Sequence, residues 1–363
     1  MNVRRALLAA ILLCLAAPLR SQVVRGRVNE RATGAALAGV LVELTDSASA
    51  DGLASALTDA DGTYAMRAPR AGRFVVSAKR TGMRRYVSPA LQIEASETVV
   101  HDLVLDRTAV MLPEVAVTMV RLCDVSPRSA RVPALWEEAR TALLAAQISL
   151  RDRRYSATVV RYVRELDPRT RRVRSETRSQ AVGVVSRPFT AIDPESLSVN
   201  GYRAPRSDGG VIYHGLDAEV LLSDAFVRDH CFEEVSGRRD RRGLAGIGFR
   251  PVASRSLPDV AGTLWLDAAT MELRFVEFAW SRMATGADSA GVGGEVHFAR
   301  LDDGAWFVRR WFVRLPVVGR VGAPVATDAT SAPWVLVRPG DLRLREEGGE
   351  VTGVKRSTGR PDA

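Results

Sequence analysis

The stretch Thr58-Asp59-Ala60-Asp61-Gly62-Thr63-Tyr64 decides the fold of the N-terminal third of the chain. Asp61-Gly62 supplies the left-handed backbone that a tight turn needs, which predicts a hairpin here. Asp59 and Asp61 are also potential cation ligands, but two carboxylates fall short of the roughly 6–8 oxygens of a calcium site. Outward from this turn, apolar residues alternate with polar ones. Val24, Gly26 and Val28 share one side, as do Val40, Val42 and Leu44, then Phe74, Val76 and Ala78, with Val99, Leu103 and Leu105 closing the series. A period of two with turn signals every ~8–12 residues predicts an all-β sandwich.

These residues carry a resemblance. Val24-Arg25-Gly26-Arg27-Val28, Thr33-Gly34, Leu37-Ala38-Gly39-Val40-Leu41-Val42 and the Thr58–Tyr64 turn together resemble the carboxypeptidase regulatory-like family. The departure is Ala38, where the family more often has proline. The resemblance implies a transthyretin-like β-sandwich over residues 22–107, acting as a non-catalytic structural or interaction module of an exported protein.

Ahead of it, Arg4 and Arg5 precede the apolar run Ala6–Leu19, closed by Arg20-Ser21-Gln22. An apolar stretch of this length fits a cleavable secretory leader, residues 1–21, and falls short of the ~20 residues of a spanning helix. Leu13, ahead of Cys14, is too large for a lipoprotein cleavage site. The expected localisation is periplasmic or secreted. Of 51 basic residues only Lys79 and Lys355 are lysines, a pattern of GC-rich coding. Loss of Arg4, Arg5 and Arg20 lowers the formal charge from +9 to +6, so nucleic acid is not an expected partner. Export leaves Cys123 and Cys231, for which a single pairing exists, and a disulfide is expected in an oxidising compartment.

Leu112–Thr118 is similar to the linker that precedes the plug of TonB-dependent outer-membrane receptors. The chain ends in polar Arg360-Pro361-Asp362-Ala363, without an aromatic closing strand, so the receptor reading fails and peripheral contact with the outer membrane remains. Residues 108–132 read as a linker. Pro133 opens a helix running to about Leu150, with Leu135, Ala139, Ala142, Leu143 and Ala146 as its apolar stripe. Extended segments follow at Tyr155–Leu166 and Arg172–Val185, then a helical stretch at Ala218–Arg228. Five more strands are expected: Leu244–Phe249, Gly262–Asp267, Glu272–Trp280, Gly294–Leu301 and Ala305–Leu315. The last two pair around Asp302-Asp303-Gly304. The expected second domain, residues 133–345, is α+β: a long curved antiparallel sheet with one or two packing helices, so the chain is mainly β. Residues 346–363 read as a disordered tail.

The pattern Gly248-Phe249-Arg250-Pro251, Gly262–Asp267, Leu273–Phe278 and Asp303-Gly304-Ala305-Trp306 resembles periplasmic lipoprotein-carrier-like proteins. That resemblance implies a sheet curved around an apolar cavity and an apolar ligand such as an acyl chain. Trp265, Phe275, Phe278, Trp280 and Phe298 are the candidate lining residues, and a filled aromatic core is the competing reading.

Catalytic signals are sparse. The histidines are His101, His214, His230 and His297, and His101 alternates with Val99 and Leu103 as a structural residue. His230-Cys231-Phe232-Glu233 matches H-x-x-E, the first two zinc ligands of metallocarboxypeptidases, but the hairpins around it do not suit that α/β fold. No G-x-S-x-G elbow and no G-x-x-x-x-G-K-[ST] phosphate loop occurs. The arginine runs Arg151–Arg154, Arg169–Arg174 and Arg238–Arg242 read as solvated, with acidic lipid head groups or polysaccharide as the alternative ligand. The expectation is an exported non-catalytic envelope protein with a binding or structural role, no cofactor, and an envelope protein or apolar ligand as partner.

Overall fold

The computed structural model describes residues 22–49, 51–107, 120–123, 127–152, 155–184, 192–205, 211–237, 239–282, 291–318 and 342–356. The leader at 1–21 and the receptor-like segment at 112–118 lie outside them. The chain forms two compact units: one runs up to Ala78 and adds Arg85–Leu105, and the other comprises Lys79–Arg84 and the chain from Asp106 onward.

The first unit is a two-sheet sandwich. Its strands are β1 (Gln22–Glu30), β2 (Leu41–Asp46), β3 (Gly52–Leu57), β4 (Thr63–Ala68), β5 (Gly72–Lys79), β6 (Tyr86–Val87), β7 (Leu91–Ile93), β8 (Thr98–Val100) and β9 (Leu103–Leu105). One sheet has the order β4-β1-β8 with β9 also on β1, and the other the order β3-β2-β5-β6 with β7 on β5. Period-2 burial is clearest in β4, where Tyr64, Met66 and Ala68 are buried between exposed neighbours. They pack with Val24, Val28, Val42, Leu44, Phe74, Val76, Leu103 and Leu105 in the core.

The Thr58–Tyr64 turn differs from the hairpin the sequence suggests. β3 and β4 lie in different sheets, so the turn carries the chain across the sandwich. The buried Thr58 hydroxyl donates to the Leu37 carbonyl (2.5 Å) and accepts from the Val40 N–H (2.9 Å). The Asp59 carboxylate accepts from the N–H groups of Asp61 (3.0 Å) and Thr63 (2.8 Å) and from the Thr63 hydroxyl (2.6 Å). Gly62 takes φ +74°. Asp59 is thus engaged by the turn's own donors.

The second unit is built on one nine-stranded antiparallel sheet. Its strands are β10 (Tyr155–Leu166), β11 (Val173–Val184), β14 (His230–Ser236), β15 (Leu244–Pro251), β16 (Asp259–Asp267), β17 (Leu273–Ser281), β18 (Gly293–Arg300), β19 (Trp306–Val318) and β20 (Leu342–Arg356). The order is β11-β10-β20-β19-β18-β17-β16-β15-β14. A small hairpin, β12 (Arg203–Pro205) with β13 (Val211–Tyr213), stands apart. The helices are α1 (Val132–Arg151), α2 (Pro194–Asn200), α3 (Ala218–Leu222) and α4 (Asp224–Asp229). α1 carries Pro133 in its first turn and buries Leu135, Trp136, Ala139, Ala142, Leu143 and Ala146.

Three expectations need correction. The supposed tail from residue 346 is mostly β20, which reaches Arg356 and lies between β19 and β10. The single helix at Ala218–Arg228 is two: Ser223 interrupts it and caps α4 by accepting from the Phe226 N–H (3.1 Å). The linker assigned to 108–132 ends in structure: Arg121–Cys123 runs parallel to β14, and Val132 opens α1.

Candidate functional site

Residues directly opposite in an antiparallel ladder share a face. The row Ile247–Leu264–Val276–Val296 crosses β15 to β18. Val276 and Val296 line a cleft together with α1 residues, so this row faces the helices. The neighbouring row, Trp265–Phe275–His297–Arg310, therefore lies on the other face. The five candidate aromatics divide accordingly. Phe278, Trp280 and Phe298 take the helix face, while Trp265 and Phe275 take the opposite one.

On the helix face, α1 contributes Ala146, Gln147 and Leu150 to the cleft, and α3 with the residues before it contributes Leu216–Glu219 and Leu221. The sheet supplies Val276, Val296, Phe298 and Val308. The cleft opens to solvent and encloses a small cavity of about 30 Å³. Its wall is nearly all aliphatic. Asp217, one of its few polar groups, caps α3 by accepting from the Val220 N–H (2.9 Å). Of the five aromatics only Phe298 reaches the cleft; Phe278 and Trp280 fill the core in edge-to-face contact (5.4 Å), and the Trp280 indole donates to the His214 carbonyl (2.9 Å).

On the opposite face, Trp265 and Phe275 lie beneath Arg241, whose guanidinium sits 4.6 Å from the Phe275 ring centre and 5.9 Å from that of Trp265. Glu277 accepts from the Trp265 indole (2.7 Å) and from Arg241 (2.9 Å). His297 stacks on Phe275 (4.8 Å) and meets Glu295 (2.8 Å). The His297 hydrogen bond holds the Glu295 carboxyl below its ordinary range, outweighing the upward push of burial.

A polar network the sequence reading missed lies at the β14 end. His230 and Asp259 are both fully buried. His230 Nδ1 faces the Phe226 carbonyl (2.9 Å), and Nε2 faces Asp259 Oδ1 (3.0 Å) and the Val260 carbonyl (3.2 Å). Arg255 pairs with Asp259 and with Asp229 (3.1 Å), and donates to the carbonyls of Ser198 (2.8 Å) and Leu197 (3.1 Å). The network therefore ties α2 and α4 to β14 and β16. Burial pushes the Asp259 carboxyl up, but His230, Arg255 and the Val260 N–H together hold it below the ordinary carboxylate range. The ring is enclosed with both nitrogens engaged, so this dyad offers no position for a substrate. The signal for it was present as His230 after a short helix and Asp259 before an apolar strand, but only the fold joins residues 29 apart.

The H-x-x-E match dissolves on β14. Residues three apart on a strand point to opposite faces, so His230 and Glu233 cannot ligate one ion. Among the described residues, no three His, Cys, Asp or Glu side chains form a group able to hold a metal. Cys123 and Cys231 are joined in a disulfide across 108 residues of sequence.

The geometry defines a β-sandwich module and, in the second unit, helices packed on a long antiparallel sheet with an apolar cleft between them. The sandwich has a family assignment: residues 23–106 match the carboxypeptidase regulatory-like domain. No curated protein matches the chain. Among solved structures, a DUF1329 family protein from Desulfovibrio piger aligns over 64% of this chain and 95% of its own, at 12% identity and a TM-score of 0.28. A 9R-lipoxygenase from Cyanothece aligns over 97% of this chain and 47% of its own, at 11% identity and a TM-score of 0.21. Scores this low carry no argument about fold or function.

Proposed function

We propose that the protein is an exported, non-catalytic component of the cell envelope that binds an apolar group in its second unit. The observation that carries this is the apolar cleft between α1, α3 and strands β17–β19, walled by Leu150, Leu216, Leu221, Val276, Val296 and Val308. Such a wall offers dispersion and desolvation but almost no hydrogen bonds, so it selects alkyl groups over sugars or peptides. The leader-like N-terminus, the disulfide and the regulatory-like sandwich support the exported, non-catalytic part of the reading.

Titration with a pyrene-labelled fatty acid tests it. Saturable binding is expected, and Val308→Trp, which puts a large ring into the cleft, weakens it by about tenfold or more, with circular dichroism confirming that the variant is folded. Absence of saturable binding to the unsubstituted protein, or equal binding by the variant, overturns the reading.

A further inference from the structure

The two edges of the nine-stranded sheet are finished differently. Along β14, Arg121–Cys123 adds a parallel segment, with the Phe232 N–H donating to Arg121 O (2.8 Å) and the Cys123 N–H to Phe232 O (2.9 Å), and the disulfide fixes it there. At the other edge β11 pairs with β10 and, among the described strands, with no other. Residues 173–183 are exposed at every position, so neither face of this strand is packed. Bare strand edges are pairing templates, commonly blunted by lysine, proline or a bulge. β11 is 12 residues long, without lysine or proline; its ladder to β10 runs unbroken from Val184 to Ser175 and is bulged only beyond it, at Arg174.

The sequence of β11 is complementary to itself. A two-fold axis normal to the sheet keeps each face on its own side, so residues of like parity meet. With the axis at Thr177, Thr177 opposes its own copy, Glu176 opposes Arg178 twice, Ser175 opposes Ser179, and Arg174 opposes Gln180. Both charge pairs are attractive, and Thr–Thr and Thr–Ser type pairs suit antiparallel ladders. Moving the axis to Glu176 or Arg178 sets like charges face to face, and moving it to Ser175 opposes Arg172 to Arg178. One register is therefore favoured. Glu176 already meets Arg164 (2.7 Å) and Arg178 of its own sheet, which holds its carboxylate charged and oriented on that face.

We propose that β11 is a self-association edge, joining a second copy of this chain antiparallel about Thr177 to make one continuous sheet across the two-fold axis.

Sedimentation velocity on the purified protein, between about 1 μM and 1 mM, tests this. A reversible dimer is expected. Glu176→Arg and Arg178→Glu each convert both cross-strand pairs to repulsion and weaken the dimer by about tenfold or more. An equimolar mixture of the two variants restores dimers, because every opposed pair is then attractive, and the double variant dimerises alone. Both positions are solvent-exposed, and circular dichroism confirms that each variant is folded. A wild-type protein that stays monomeric throughout, variants that self-associate as well as wild type, or a mixture that fails to recover dimers overturns the proposal.

Discussion

The β14 end and the β11 end of the same sheet contrast in how their order is maintained. At β14, side chains do the holding: α1 and α4 press on the strand, Trp136 packs against Phe232 (4.8 Å), and a buried His–Asp–Arg network and a disulfide cross-link the pieces. At β11 the strand is held by its ladder to β10 and by surface ion pairs alone. The lesson is that a strand's presence in a sheet says little about its contribution to stability. Local stability follows buried apolar contacts, so the first region should open only with the whole unit and the second on its own.

Four variants sharpen or break that contrast. Replacing Cys123 and Cys231 by serine releases a loop across 108 residues, and the chain-entropy model predicts a loss of about 4–5 kcal/mol, read by urea denaturation. Asp259→Asn removes the carboxylate that His230 and Arg255 share and leaves Arg255 with Asp229 alone, at an expected cost of about 1–3 kcal/mol. The same variant checks the pH dependence. Because the folded pKa of Asp259 is depressed, its contribution is fully present above the unfolded carboxylate pKa and is lost as pH falls through the folded value. Acid destabilisation should therefore be shallower in the variant. Gly349→Ala places a Cβ 2.4 Å from the Trp311 ring, an overpacking of about 1–3 kcal/mol, seen as a lower melting temperature. Val182→Ser, at a side chain 71% exposed, should change stability by less than about 0.5 kcal/mol. A large loss there would equate the two ends.

The sandwich was legible because its strands alternate cleanly and its turn residues are local. Strands β15 to β19 were legible for the same reason. β20 was not: Gly348, Gly349 and Gly353 with seven charged residues read as a tail. Its glycines are there for close approach. A Cβ at Gly348 would meet the Tyr162 ring at 2.5 Å, while at Gly349 it would meet Trp311. Rings on neighbouring strands cover β20, one on each face, and no feature of residues 342–356 announces it. The disulfide was legible by arithmetic, since two cysteines allow one pair. The division of the aromatics was not, because Trp265 and Phe278 sit in equally apolar runs. Only the register between β16 and β17 assigns them to opposite faces.

Hydrogen exchange of the native protein, followed by mass spectrometry at two protein concentrations, tests the contrast between the ends most directly. Amides of β14 and β16 should exchange slowly and identically at both concentrations. Amides of β11 should exchange faster, and their protection should rise with concentration as the edge pairs with a second copy. Equal protection at the two ends, independent of concentration, would contradict the account.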